Sequence, residues 1–143
     1  DQDRHVSEYV DANRPLFPCT EKITRYKEDC YVYAPTYYLF VHKNDYKGAF
    51  KMCRDAEAKY RSVCVTGVGS QAMKDNINNP KLVERICLIG SLTQIRSCVG
   101  GMAILAVNHY GSTTPVRALC KELYFFNRGF CEDVVNMQER LFK

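Results

Sequence analysis

The chemistry this chain can offer is dominated by its eight cysteines. A thiolate can bind a soft metal, act as a nucleophile or close a disulfide, and spacing decides which. Cys19 and Cys30, Cys53 and Cys64, Cys87 and Cys98, and Cys120 and Cys131 form four pairs, each with ten residues between its members. Cys-x-x-Cys occurs nowhere, so zinc and c-type haem are poor readings and no metal or cofactor is expected. The even count and even placement point to disulfides, which persist in oxidising compartments. Eight cysteines allow 105 pairings in principle. The repeated spacing makes one economical: each pair closes on itself. Eight buried free thiols would not need to share one interval.

Other reactive side chains form no constellation. His5, His42 and His109 stand far apart, none in an HExxH spacing, and read as surface or loop residues. Glu28-Asp29 and Glu132-Asp133 are sequence neighbours, which point in different directions on a helix and read as solvated faces. Gly67-Val68-Gly69 has neither a preceding strand nor a following phosphate-binding lysine, so it is no nucleotide loop. With all cysteines assigned to staples, no catalytic residue is assigned, and a secreted enzyme is the weakest of the readings.

The elements that must position the cysteines follow from geometry. The first cysteines of successive pairs lie 34, 34 and 33 positions apart, a repeat of two-helix length. On one continuous helix the members of a pair would be about 16 Å apart at 1.5 Å per residue. A disulfide needs Cα atoms within about 7 Å. The chain must therefore turn inside each pair, and each unit is a helical hairpin stapled near its bend. Ser91 to Gln94 supplies a capping box for one second helix, and Asn127-Arg128-Gly129 is expected to break the fourth unit at the matching place. Asn79-Pro80, Thr114-Pro115 and Asn44-Asp45 mark the outer starts.

From these starts apolar residues recur at helical spacing: Ala49, Met52, Cys53 and Ala56; Val83, Ile86, Cys87 and Gly90; Val116, Leu119, Cys120 and Leu123. The second helices carry Cys64, Val68 and Ala72; Cys98, Met102, Leu105 and Ala106; and Cys131, Val134, Val135 and Leu141. Period-two alternation is confined to Tyr31-Val32-Tyr33, so no strands are expected. The fold class is all-α: a short solenoid of four hairpins over residues 15–143, with units at about 15–45, 46–79, 80–112 and 113–143. Residues 1–14 form an arm, with a short helix expected around Val6 to Ala12. Pro15, Pro18 and Pro35 are expected to interrupt helices in the first unit. Three residues past the second cysteine stand Gly67 and Gly101 in the middle units but Tyr33 and Val134 in the outer ones. Glycine costs about 1 kcal/mol in a helix interior. A neighbouring helix coming close accounts for its presence there. The third unit, charged only at Glu84, Arg85 and Arg96 between Leu82 and Ser112, should be the most enclosed.

The repeat resembles the disulfide-rich Sel1-like and tetratricopeptide-type repeat proteins in period, two-helix unit and cysteine staple. The tetratricopeptide Trp, Leu-Gly and Tyr signature is absent, and the ten-residue spacer exceeds the Sel1-type staple. The resemblance implies a concave surface that binds peptides or partner proteins. A net charge of +4 without a run of five like charges gives no nucleic-acid footprint, and no apolar stretch is long enough to span a membrane. The chain is therefore read as extracellular, cell-surface or periplasmic, its signal peptide removed. The binding hint lies in its tyrosines: Tyr26, Tyr31, Tyr33, Tyr37 and Tyr38 fall within thirteen residues. Tyr31, Tyr33, Tyr37 and Tyr38 are the candidate patch, for a protein or a glycan, with filling of the core end as the alternative for Tyr33 and Tyr37. Two functions remain: a non-enzymatic interaction or scaffold module, and a structural subunit whose copies join end to end as an extracellular filament.

Overall fold

Every expected staple closes in the computed structural model, which describes residues 14–17, 19–21 and 24–141. Cys19–Cys30, Cys53–Cys64, Cys87–Cys98 and Cys120–Cys131 are disulfides with Cα atoms 5.5, 5.5, 5.5 and 5.6 Å apart. Seven α-helices occur among the described residues: α1 (Thr24–Val41), α2 (Tyr46–Arg54), α3 (Arg61–Asp75), α4 (Pro80–Cys87), α5 (Leu92–Tyr110), α6 (Thr114–Lys121) and α7 (Phe125–Leu141). Short 3-10 turns at Cys19–Glu21 and Ala58–Tyr60 precede α1 and α3. No strand occurs among the described residues, and Tyr31-Val32-Tyr33 lies within α1. Residues 1–13 of the arm, including His5 and the helix expected around Val6 to Ala12, lie outside the described residues, as does Pro18.

In the second, third and fourth units a short helix ends at or beside the first cysteine and a bend leads to a long helix that carries the second; in the first unit a 3-10 turn beginning at Cys19 precedes the long helix. The long helices lie side by side in the order α1, α3, α5, α7, and each of α2, α4 and α6 packs against the long helices before and after it. The result is two layers with a core between them. The third unit is no more enclosed than the second: α5 has nine buried residues among its 19, including Val99, Met102, Ala106 and Val107, and α3 has seven among its 15. Among the expected stripe residues only Leu141 is strongly exposed, at the last position of α7.

Glycine sets how closely the long helices approach. A Cβ on Gly67 would run into the Val32 carbonyl of α1, one on Gly101 into the Thr66 carbonyl of α3, and one on Gly69 into the Cys98 carbonyl of α5. The register repeats, because the residue three past the cysteine on one long helix meets the residue two past the cysteine on the preceding one. At the last joint the roles exchange, and Gly100 faces Val134 at ordinary contact distance, 3.5 Å.

Local signals hold in most places and shift in three. Ser91 and Gln94 form the capping box, Asn79 accepts from the Leu82 amide, and Asp45 accepts from the Gly48 amide. Pro35 does not interrupt a helix: it lies inside α1, buried against Gly67, where packing on α3 offsets the missing N–H bond. Asn127-Arg128-Gly129 does not break the fourth unit. The bend falls at Glu122–Tyr124, because Arg128 Nε donates to the Leu123 carbonyl at 2.9 Å and Asn127 is drawn into the core. Thr114 is the first residue of α6, and Thr113 takes the N-cap position without a side-chain cap bond.

Candidate interaction groove

The repeated register turns equivalent faces of α3, α5 and α7 toward one side, and between them runs an open groove of about 1060 Å³. Thr66, Gly100 and Asp133, each two residues past a cysteine, line it in turn. Its apolar floor comes from Val65, Ile104, Phe130, Val134 and Met137. Phe130, Val134 and Met137 recur at helical spacing on α7, so one face of that helix forms a wall. Ser62 on α3 and Ser97 on α5 share a hydrogen bond of 2.9 Å between their hydroxyls, fastening the two helices at the rim.

Four arginines surround this floor, Arg54, Arg61, Arg96 and Arg140, against one carboxylate, Asp133. Two are held by the bends. Arg61 Nε donates to the Ala56 carbonyl at 3.0 Å, as Arg128 Nε does to the Leu123 carbonyl two bends later, which leaves its two terminal nitrogens uncommitted among the described residues. Arg54 donates to Gln94 Oε1 at 3.3 Å. Gln94 is itself fixed: its amide donates to the Phe50 carbonyl at 2.8 Å, and its oxygen also accepts from the Ser91 amide at 3.0 Å. Arg96 lies over the Phe130 ring at 5.6 Å. None of the four forms an ion pair with a described residue. Such a lining can bind anions and apolar groups together, and no histidine or free cysteine among the described residues accompanies it.

The candidate tyrosines do not make one surface. Tyr31 is fully buried and stacked on Tyr60, ring centroids 5.0 Å apart. Burial, with its hydrogen bond to Glu57 second, pushes its hydroxyl up to about 12. Glu57 is held below the usual carboxylate range mainly by Lys27, whose ammonium pairs with it at 2.6 Å. Tyr37 and Tyr38 are half-buried, and Tyr38 donates to Asp45 at 3.0 Å and stacks on His42. Only Tyr33 stands free, 58% exposed, so it does not fill the core. It belongs to a different line: Tyr26, Tyr33 and Phe40, seven residues apart along α1, are all exposed. His42 follows α1 on the surface and His109 sits exposed in the last turn of α5. No group of three or more metal-ligating side chains occurs among the described residues.

Two features escaped the sequence reading. One is the groove itself, whose arginines occupy no equivalent positions in the repeat. The other is a polar joint between units. Asn127, four residues before its cysteine, donates to Glu84 Oε2 at 2.8 Å, and the Tyr124 amide donates to the same oxygen at 2.8 Å. Gln94 holds the matching position one unit earlier and reaches Phe50, the counterpart of Glu84; Tyr60 holds it one unit before that and stacks on Tyr31. Glu84 and Asn127 are both fully buried. The signal was the lone acid in the apolar third unit.

Fold and groove together define an all-α array of disulfide-stapled hairpins with an arginine-rimmed face. No family model, curated protein or solved structure matches the chain.

Proposed function

We propose that this protein is a non-enzymatic extracytoplasmic interaction module that takes a segment of a partner protein into the groove across α3, α5 and α7. One observation carries the reading: a wide apolar floor ringed by arginines that have no ion-pair partner among the described residues, on helices stapled by disulfides and seated on glycines. A rigid scaffold lowers the ordering cost of binding, and unspent donors around an apolar floor suit a polypeptide, which brings both kinds of group. Four disulfides favour an oxidising compartment, and no described helix is long and apolar enough to cross a membrane. Peptides selected from a random display library against the full chain test the proposal. They should bind saturably, shift the amide resonances of α3, α5 and α7, and lose binding to the Ile104→Lys/Met137→Lys variant. Peptides that map to another face, or a library that yields none, would overturn it.

A second reading, the self-assembling filament subunit, draws on the exposed line of Tyr26, Tyr33 and Phe40 on α1. In later units the positions of Tyr26 and Tyr33 contact the preceding unit, so α1 presents a joint to a further helix. Against in-register continuation stands Tyr33 itself, where the inner joints have glycine and backbone contact. Light scattering on wild type and Tyr33→Glu separates the readings: concentration-dependent growth abolished by the substitution supports the filament, and a monomer in both supports the module.

A further inference from the structure

We propose that the groove recognises an acidic peptide in which carboxylates alternate with apolar side chains; this rests on the groove being a peptide site and specifies what it reads. Charge supplies the first argument. Arg54, Arg61, Arg96 and Arg140 face one lining acid, Asp133, and none has an ion-pair partner among the described residues. A guanidinium carries five N–H donors in a planar fork matched to a carboxylate. Arg61 spends only Nε on the Ala56 carbonyl and Arg54 one terminal nitrogen on Gln94, so both forks are oriented from behind while most of their donors remain open.

The floor supplies the second argument. Val65, Ile104, Val134 and Met137 are aliphatic, so beside the single ring of Phe130 the groove offers no series of flat aromatic platforms of the kind on which successive bases stack. Phe130, the aromatic residue of the lining, lies beneath Arg96. Leucine-like side chains fit such a floor and sugar rings do not. Spacing supplies the third. Arg61 and Arg96 stand near the starts of the neighbouring helices α3 and α5. Packed helix axes lie about 8–10 Å apart. That is about three residues of extended chain at roughly 3.3 Å each. Acids at every third position, with apolar residues between them, match both the arginines and the floor.

The test is fluorescence anisotropy on the full, disulfide-intact chain with labelled (Glu-Leu-Ser)3, a (Gln-Leu-Ser)3 counterpart, a (Lys-Leu-Ser)3 counterpart and a sulfated oligosaccharide. The acidic peptide should bind saturably and at least tenfold more tightly than the neutral one, and weaken as salt rises because the arginines are exposed. Arg96→Glu/Arg140→Glu, at exposed positions and checked for fold by circular dichroism, should lose at least tenfold for the acidic peptide and gain for the basic one. Equal binding of the acidic and neutral peptides, unaffected by the arginine changes, would overturn the acidic specificity while leaving a peptide groove standing. Binding of the sulfated oligosaccharide alone would overturn the peptide as occupant, and binding of none of the probes would count against both the specificity and the groove.

Discussion

Replacing Gly101 by alanine sets two effects of opposite sign against each other. In a solvated helix the change gains about 1 kcal/mol, because alanine loses less backbone entropy. At Gly101 the new Cβ would stand 2.8 Å from the Thr66 carbonyl carbon and 3.0 Å from its Cα. Carbon atoms are comfortable at about 3.5–4.0 Å. The Thr66 carbonyl oxygen lies closer still, so the backbones of α3 and α5 must part by roughly 1 Å or more. They are least able to do so here, since Gly69 binds the same pair against the Cys98 carbonyl and the Ser62–Ser97 bond spans it at 2.9 Å. Overpacking of this kind, with off-rotamer side chains and shifted backbone, costs about 1–3 kcal/mol. With backbone on both sides we take the upper end, for a net destabilisation of about 2 kcal/mol after the helix gain. Urea unfolding of the oxidised protein, followed by circular dichroism, measures this directly. Gly129→Ala is the control: nothing lies within 4 Å of its Cβ, and it should stabilise by about 0.5–1 kcal/mol. Gly100→Ala, with Val134 at 3.5 Å, should be neutral or mildly stabilising. If Gly101→Ala stabilised as much as Gly129→Ala, the long helices would not be packed in the register described, and the groove lined by Thr66 and Gly100 would lose its geometry.

Three further predictions concern other parts of the molecule. Glu84→Gln should be tolerated or slightly stabilising, since its oxygen can still accept from Tyr124 and Asn127 while its new NH2 can serve the unsatisfied Asn127 Oδ1; Glu84→Met strands the buried Asn127 donor and the partly buried Tyr124 amide and should cost about 2–3 kcal/mol by urea unfolding. Closing each loop, with cysteines 11 apart in sequence, stabilises by about 3 kcal/mol in the chain-entropy model, so Cys87→Ser/Cys98→Ser should lower the melting temperature severely, and non-reducing peptide maps should recover only the four within-unit pairs. The folded state holds Tyr31 neutral up to about 12, against 10 for the unfolded chain, so its contribution is complete below pH 10 and is lost as pH rises toward 12. Brief denaturant titrations between pH 9 and 11.5 should show that alkaline loss in wild type and a smaller one in Tyr31→Phe.

The sequence by itself determined the hairpins, because a fixed interval between bonded cysteines is a distance constraint that a straight helix cannot meet. It also determined the order of units and the tight joints at Gly67 and Gly101, since a backbone that carries glycine at a fixed offset from a buried cysteine advertises close approach. Pro35 and Asn127-Arg128-Gly129 misled for one reason: local preferences of about 1–3 kcal/mol yield when packing or a buried hydrogen bond opposes them. Tyr31 and Tyr33, two residues apart, illustrate what pattern alone could not rank, for one is sealed against Tyr60 and the other faces outward. The groove belonged wholly to the tertiary structure. Arg54, Arg61, Arg96 and Arg140 share no position in the repeat, and they face one floor only because the stacking of α3, α5 and α7 adds a rotation and a translation at each joint that no single unit encodes.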